Sequence, residues 1–204
     1  MPDEFMDRPK IALDLGCGSK KKLGYIGIDN VKEDGVDYAL DLSRDKLPFP
    51  DKSVDCFFSS HFLEHIESSD HLPLFGEMSR VAKDGATFEA WHPYAFHNDA
   101  FLYGHKAFLT EEQWYHLCVK YSEAWYPVLN SKWLLNKIVY VVHPDVCQEM
   151  ASHGFSVAFA LKYFKNIAKE IGLFITIKHN RDTKSIEPER FYAHGRGEEL
   201  RPLR

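Results

Sequence analysis

The sequence predicts an α/β fold built on a mostly parallel sheet, and three observations carry that prediction. Short apolar runs at 10–15, 25–29, 36–40, 54–59 and 86–91 read as strands. The first leads into Asp14-Leu-Gly-Cys-Gly18, and the second ends on Asp29 after a connection of only ten residues from Gly18. Between the fourth and fifth strands, residues 70–82 place Leu72, Phe75, Met78, Ser79 and Val81 at near-helical spacing. Strands alternating with helices imply a parallel sheet whose ligands sit at the strand carboxyl ends.

The remaining elements follow in order. Lys83-Asp84-Gly85 supplies the basic residue and the glycine that suit a helix C-terminus. From Pro93 to Pro127 the chain is crowded with His, Tyr, Phe and Trp, and Thr110-Glu-Glu-Gln-Trp114 announces a helix start. Residues 137–143 read as a strand, 157–171 as an amphipathic helix and 174–178 as a last strand. The charged stretch after Asn180, with Pro188 and Pro202, reads as a partly mobile tail. No repeat or low-complexity linker divides the chain, so 1–204 is read as a single domain. Within it, 8–92 forms a first half, 93–135 an aromatic and His-rich segment, 136–180 the C-terminal strands and helix, and 181–204 the tail.

The 204 residues are 45% hydrophobic and 27% charged, enough apolar material for a full core. A net charge of -5 disfavours a general affinity for nucleic acid or anionic membranes, and Lys20-Lys21-Lys22 is the one obvious basic patch. No apolar run reaches the length of a membrane span, and the acidic start with Asp3, Glu4 and Asp7 is unlike a signal peptide. The four cysteines, Cys17, Cys56, Cys118 and Cys147, form no CxxC pair and read as reduced thiols of a cytoplasmic protein.

Gly16 and Gly18 permit a tight turn and close approach of a ligand, and Asp29 stands where a carboxylate accepts from a ribose diol. That combination points to a nucleoside-bearing cofactor. A dinucleotide fingerprint would need a glycine where Lys21 stands, which disfavours NAD and FAD.

Further blocks narrow the choice: Asp41-Leu42, Leu47-Pro-Phe-Pro-Asp51, Ser53 to Ile66 with its Ser-Ser-His-Phe-Leu-Glu-His run, and Glu77 to Gly85. Together with Asp14 to Gly18 and Asp29, they resemble a class I S-adenosylmethionine-dependent methyltransferase over roughly 10–92. The resemblance is to a small bacterial, type-11-like group with a short first crossover. It implies a Rossmann-like methyltransferase fold in which 8–92 is the cofactor-binding half and 93–135 an aromatic, His-rich lid or acceptor segment. It also implies roles: Asp14, Gly16 and Gly18 contact the amino-acid part of S-adenosyl-L-methionine, and Asp29 holds the ribose. Asp41 and Leu42 edge the adenine, while Ser59, Ser60 and His61 end the fourth strand beside the sulfonium. The two departures are the shortened first crossover, about one helical turn at most, and Lys83-Asp-Gly-Ala86 in place of a double glycine.

After the fifth strand come His92, His97, Asp99 and His105, where the acceptor meets the methyl group in this fold. Their chemistry suits a general base or a metal, yet their spacing matches no defined metal motif, and no metal is assigned. The base is sought first at His105, beside Gly104, then at His92, with His61 as a third catalytic candidate. Glu64 and His65 are read as fixing a helix rather than as catalytic. The expected activity is methyl transfer to an O or N atom of a small-molecule acceptor in a cytoplasmic, bacterial enzyme. A NAD(P)-dependent oxidoreductase or epimerase and a non-catalytic methyltransferase-like subunit are the alternatives. The oligomeric state is not legible.

Overall fold

The computed structural model describes residues 9–203; Asp3, Glu4, Asp7 and the rest of 1–8, and Arg204, lie outside them. Nine strands form one sheet in the order β3-β2-β1-β4-β5-β7-β6-β8-β9. The strands are β1 (Ala12–Leu15), β2 (Ile26–Asp29), β3 (Tyr38–Ala39), β4 (Val54–Ser60), β5 (Ala82–Pro93), β6 (Lys132–Val141), β7 (Glu170–Lys178), β8 (Glu189–Ala193) and β9 (Arg201–Pro202). β1 to β5 pair in parallel, and β7 runs antiparallel between β5 and β6. The helices are α1 (Ser68–Val81), α2 (Glu111–Tyr115), α3 (Ser122–Leu129), α4 (Pro144–Ser152) and α5 (Val157–Tyr163).

Side chains alternate across the sheet, so Phe57 and Phe88 face one side and Phe58, Glu89 and Trp91 the other. On the first side α1 and α3 pack over a dense aromatic core. The Phe75 and Trp133 rings lie 4.9 Å apart, Phe88 and Trp133 lie 5.8 Å apart, and the Trp133 indole N–H donates to Ser79 Oγ at 3.0 Å. On the second side long cationic side chains lie over the rings. Lys22 Nζ is 3.7 Å from the Phe58 centroid, Lys137 Nζ is 4.0 Å from that of Phe174, and the Arg196 guanidinium is 4.9 Å from that of Trp91. Their stems cover apolar rings while their charges reach water. Two lysines of the Lys20-Lys21-Lys22 patch are thereby spent internally: Lys21 pairs with Asp37 at 2.7 Å and Lys22 with Glu89 at 3.0 Å.

Four expectations are corrected. The first crossover contains turns and no helix, because Asp14 Oδ2 accepts from Lys22 N at 2.7 Å and closes the loop within eight residues. Lys83-Asp84-Gly85 does not cap α1; Ala82 is already extended and begins β5, and Gly85, at φ +87°, sits where β5 slips against β4. The helix expected over 157–171 stops at Tyr163, since Phe164 is extended and Asn166 takes φ +59°. Ile171, Leu173, Ile175 and Ile177 then enter the core as alternate residues of β7, so sheet packing overrides the helical period. The tail read as mobile supplies β8, which pairs in parallel with β6, and β9 beside it.

The 93–135 segment is also more structural than a lid. Trp114, Leu117, Cys118 and Leu129 are buried in the main core, and a π-helical turn at 116–120 joins α2 to α3. The exposed aromatics cluster earlier, at Phe96, Phe101, Tyr103 and Phe108.

Candidate active site

A cavity of about 600 Å³ opens at the carboxyl ends of β1, β2, β3 and β4. Gly16 after β1, Asp29 at the end of β2, Asp41 and Leu42 after β3, and His61 and Phe62 after β4 line it. Ser43, Arg44, His65, Ile66, Glu67, Asp70 and Lys106 complete the wall. A volume between about 300 and 1,000 Å³ is that of small-molecule and cofactor sites.

The backbone explains the glycine turn. The Gly16 and Cys17 amides both donate to Ile28 O, at 2.8 and 3.2 Å, and Gly16 takes φ +67°. A Cβ on Gly16 would fall 2.3 Å from the Phe62 ring, so the chain has no room for a side chain there. Gly18 has φ +51° but open space around it, and its amide donates to Asp29 Oδ2 at 2.9 Å. Its part is to orient Asp29, not to line the cavity. Asp29 Oδ1 also accepts from Val31 N at 3.2 Å, which leaves lone pairs on the carboxylate for a diol.

Asp14 lies beneath the turn at 3% exposure and outside the cavity wall. Burial raises its pKa despite the Lys22 amide. Asp41 is on the wall, where its Oδ1 accepts from the amide and hydroxyl of Ser43, at 3.0 and 2.5 Å, and these bonds lower its pKa. Ser59 is fully buried, and its Oγ has no partner among the described residues. Ser60 Oγ accepts from Arg196 at 2.8 Å. Of the eight residues expected at the cofactor, the structure gathers Gly16, Asp29, Asp41 and Leu42 on the cavity wall and sets Asp14, Gly18, Ser59 and Ser60 behind or beside it.

The three catalytic candidates part company. His92 is 0% exposed; its Nε2 accepts from the Trp114 indole N–H at 3.1 Å and its Nδ1 donates to Pro93 O at 2.9 Å. Burial pushes its pKa down to about 4. With both nitrogens engaged it is a core histidine, and the reading of it as a base is corrected. His61 sits at φ +52° between two carboxylates, Nδ1 3.1 Å from Glu64 Oε1 and Nε2 3.1 Å from Glu170 Oε1. Glu170 and Glu64 raise its pKa to about 9, so near neutral pH it is an imidazolium and not a base. Burial would raise the Glu170 carboxyl, but His61 and Arg196 outweigh it and hold it at about 2.

His105 keeps a free nitrogen. Its Nδ1 donates to Ala100 O at 3.1 Å, and its ring meets that of His65 edge-on at 4.9 Å. Gly104 provides φ +91° for the turn, and a Cβ there would meet nothing within 4 Å, so it bends the loop rather than allowing a close approach. His97 is an N-terminal cap, accepting from Asp99 N at 3.1 Å. The His92, His97, Asp99 and His105 set is therefore not a cluster. The structure joins His105 to Glu64 and His65 instead. Sequence spacing could not show this, because the backbone bonds from Lys106 and Ala107 to Glu64 O bridge about forty residues.

A family model described as a methyltransferase domain matches residues 28–89. No curated protein matches the sequence. Among solved structures, a SAM dependent methyltransferase from Archaeoglobus fulgidus is 15% identical, with 82% of this chain and 86% of that one covered, at a TM-score of 0.55. An S-adenosylmethionine dependent methyltransferase from Mesorhizobium loti is 13% identical, covering 81% and 90%, at 0.51. A geranyl diphosphate C-methyltransferase from Streptomyces coelicolor A3(2), solved with S-adenosyl-L-homocysteine, is 13% identical, covering 82% and 70%, at 0.50. At these identities the solved structures establish a Rossmann-like fold. Over residues 28–89, from the end of β2 into β5, the chain is also similar to a methyltransferase domain. No helix among the described residues is long and apolar enough to cross a membrane.

Proposed function

We propose that the protein transfers the methyl group of S-adenosyl-L-methionine to an O or N atom of a small-molecule acceptor. The observation that supports this most is the cavity at the strand ends, with the Asp29 and Asp41 carboxylates and the side-chain-free Gly16 on one wall. Those residues fit the cofactor: Gly16 admits its amino-acid part, Asp29 accepts from the ribose, and Asp41 and Leu42 edge the adenine. Asp14 and Gly18 shape the loop, while Ser59 and Ser60 support the end of β4. When bound, the cofactor supplies an electrophilic methyl on a sulfonium.

The chain's contribution is then mainly alignment, which supplies about 7–11 kcal/mol of such a barrier. We place the acceptor on the side bordered by His65 and Lys106, next to His105. There His105 Nε2 accepts the proton of an O–H or N–H nucleophile. The whole chain acts as one domain in this reading, with 8–92 holding the cofactor and the following segment meeting the acceptor. The free cysteines Cys17, Cys56, Cys118 and Cys147 favour a reducing, cytoplasmic setting.

S-adenosylhomocysteine should bind once per chain and raise the melting temperature, since a ligand of the folded state alone stabilises it by mass action. NADH should leave the melting temperature unchanged. A shift with NADH and none with the adenosyl ligand overturns the proposal. Asp29→Ala should weaken S-adenosylhomocysteine binding by about 1.5–3 kcal/mol, the worth of a charge-assisted hydrogen bond, with the fold intact. Calorimetric titration of the variant tests the ribose assignment, which fails if affinity is unchanged.

A further inference from the structure

Glu64 and His65 lie on the 3-10 turn Leu63–His65 after β4, whereas His105 comes from the connection after β5. Two backbone bonds clamp these segments together, Lys106 N to Glu64 O at 2.7 Å and Ala107 N to Glu64 O at 3.1 Å. One donor atom from each of Glu64, His65 and His105 lies within 4.8 Å of the other two.

The surroundings of these side chains narrow what they do. His65 Nδ1 donates to Gly104 O at 3.2 Å, and His105 Nδ1 donates to Ala100 O at 3.1 Å. Each bond fixes the tautomer and leaves a lone pair on Nε2, the arrangement that orients metal-binding histidines. Glu64 is 2% exposed; one of its oxygens accepts from His61, and Oε2 has no partner among the described residues. A buried carboxylate oxygen with nothing to satisfy it, beside two imidazoles with free nitrogens, lacks a cation and little else.

We infer that Glu64, His65 and His105 form a binding site for one divalent transition-metal ion of the zinc class. Two imidazoles and one carboxylate are a donor set such ions take, with a further position left open. Donors held about 2.0–2.2 Å from a tetrahedral ion stand roughly 3.3 Å apart, so the set must contract from its present spread. The mobile partner in that contraction is His105, because the neighbouring Gly104 has open space around it.

His65 also lines the cavity, so the open position faces the acceptor side. That consequence rests on the methyltransferase reading, while ion binding itself does not. With the ion present, His105 Nε2 is a ligand and not a base. An acceptor hydroxyl bound at the open position would have its pKa lowered by the ion, and its proton would pass to solvent water.

Cobalt(II) is the probe. The full-length protein, stripped with a chelator, should bind one cobalt(II) per chain with visible absorption that zinc(II) abolishes. His105→Ala and Glu64→Gln should each weaken binding at least about 100-fold, judged against the loss on removing outer partners alone. His143→Ala, at an exposed helix start beside Asp145, should bind as the parent does. Absence of stoichiometric cobalt(II) binding, or equal binding by His105→Ala, overturns the site. S-adenosylhomocysteine titration of the same stripped sample reads the cofactor cavity separately, so the two assignments fail independently.

Discussion

Gly16→Val is expected to abolish S-adenosylhomocysteine binding and to lower the stability of the ligand-free protein. A Cβ at this position would stand 2.3 Å from Cγ and Cδ2 of Phe62 and 2.4 Å from its Cβ. The near atoms include the root of that side chain, so a rotation of the ring tip does not relieve the clash. A β-branched residue at φ +67° is also strained, by about 1–3 kcal/mol. Phe62 would be driven into the cavity it already borders, and affinity should fall more than about 100-fold, or ~2.7 kcal/mol. Gly18→Ala is the matched control. It has the same sign of φ but nothing within 4 Å of its Cβ, so strain remains and obstruction does not. Its affinity should stay within a few-fold of the parent. If both variants bind alike, in a fluorescence or calorimetric titration, the turn is not where the cofactor lies.

The contrast between these two glycines shows what the sequence conveys and what it withholds. The Gly-x-Gly turn, Asp29 at the end of β2 and the alternation of short apolar runs with a helical stretch are local features, carried by residues close to one another in the sequence. They are legible for that reason. Which glycine faces the cavity depends on Phe62, about forty-five residues away, and no spacing within the turn reveals it. The histidines follow the same division. His92 looks like a site residue because it follows a strand, but it is consumed by Trp114 on α2, a contact between distant elements. The Glu64 and His105 pairing depends equally on a backbone clamp that leaves no trace in composition or period. The tail misleads because its charges and prolines are ordinary for a mobile end. Yet Phe191 and Ala193 pack with Trp91 and Val139, enough to hold it as an edge of the sheet.

His61→Ala is expected to destabilise the protein most between about pH 4.5 and 6.5 and to change how its stability responds to rising pH. In the parent, the imidazolium joins Glu64 on the turn after β4 to Glu170 at the start of β7. Its pKa is raised from 6.5 to about 9, so its stabilisation is complete below 6.5 and disappears as the pH rises through 9. Glu170 is lowered from 4.5 to about 2, so its contribution is complete above 4.5 and is lost as the pH falls through 2. Both contributions are whole between those unfolded values, and removing the cation touches both. The Glu64 carboxylate would then stay buried with two unpaired oxygens in place of one. Removing one partner of a buried ion pair costs about 3–5 kcal/mol. The His61 side chain is 43% exposed, and water entering there reduces the expected loss to about 2 kcal/mol. Alanine inherits φ +52° from histidine, so backbone strain changes little between the two proteins. Urea denaturation should therefore show the variant furthest from the parent between about pH 4.5 and 6.5, and approaching it as the pH rises through 9. A difference that stays constant from pH 6.5 to pH 9 would mean that the His61 bridge stabilises by packing and not by charge.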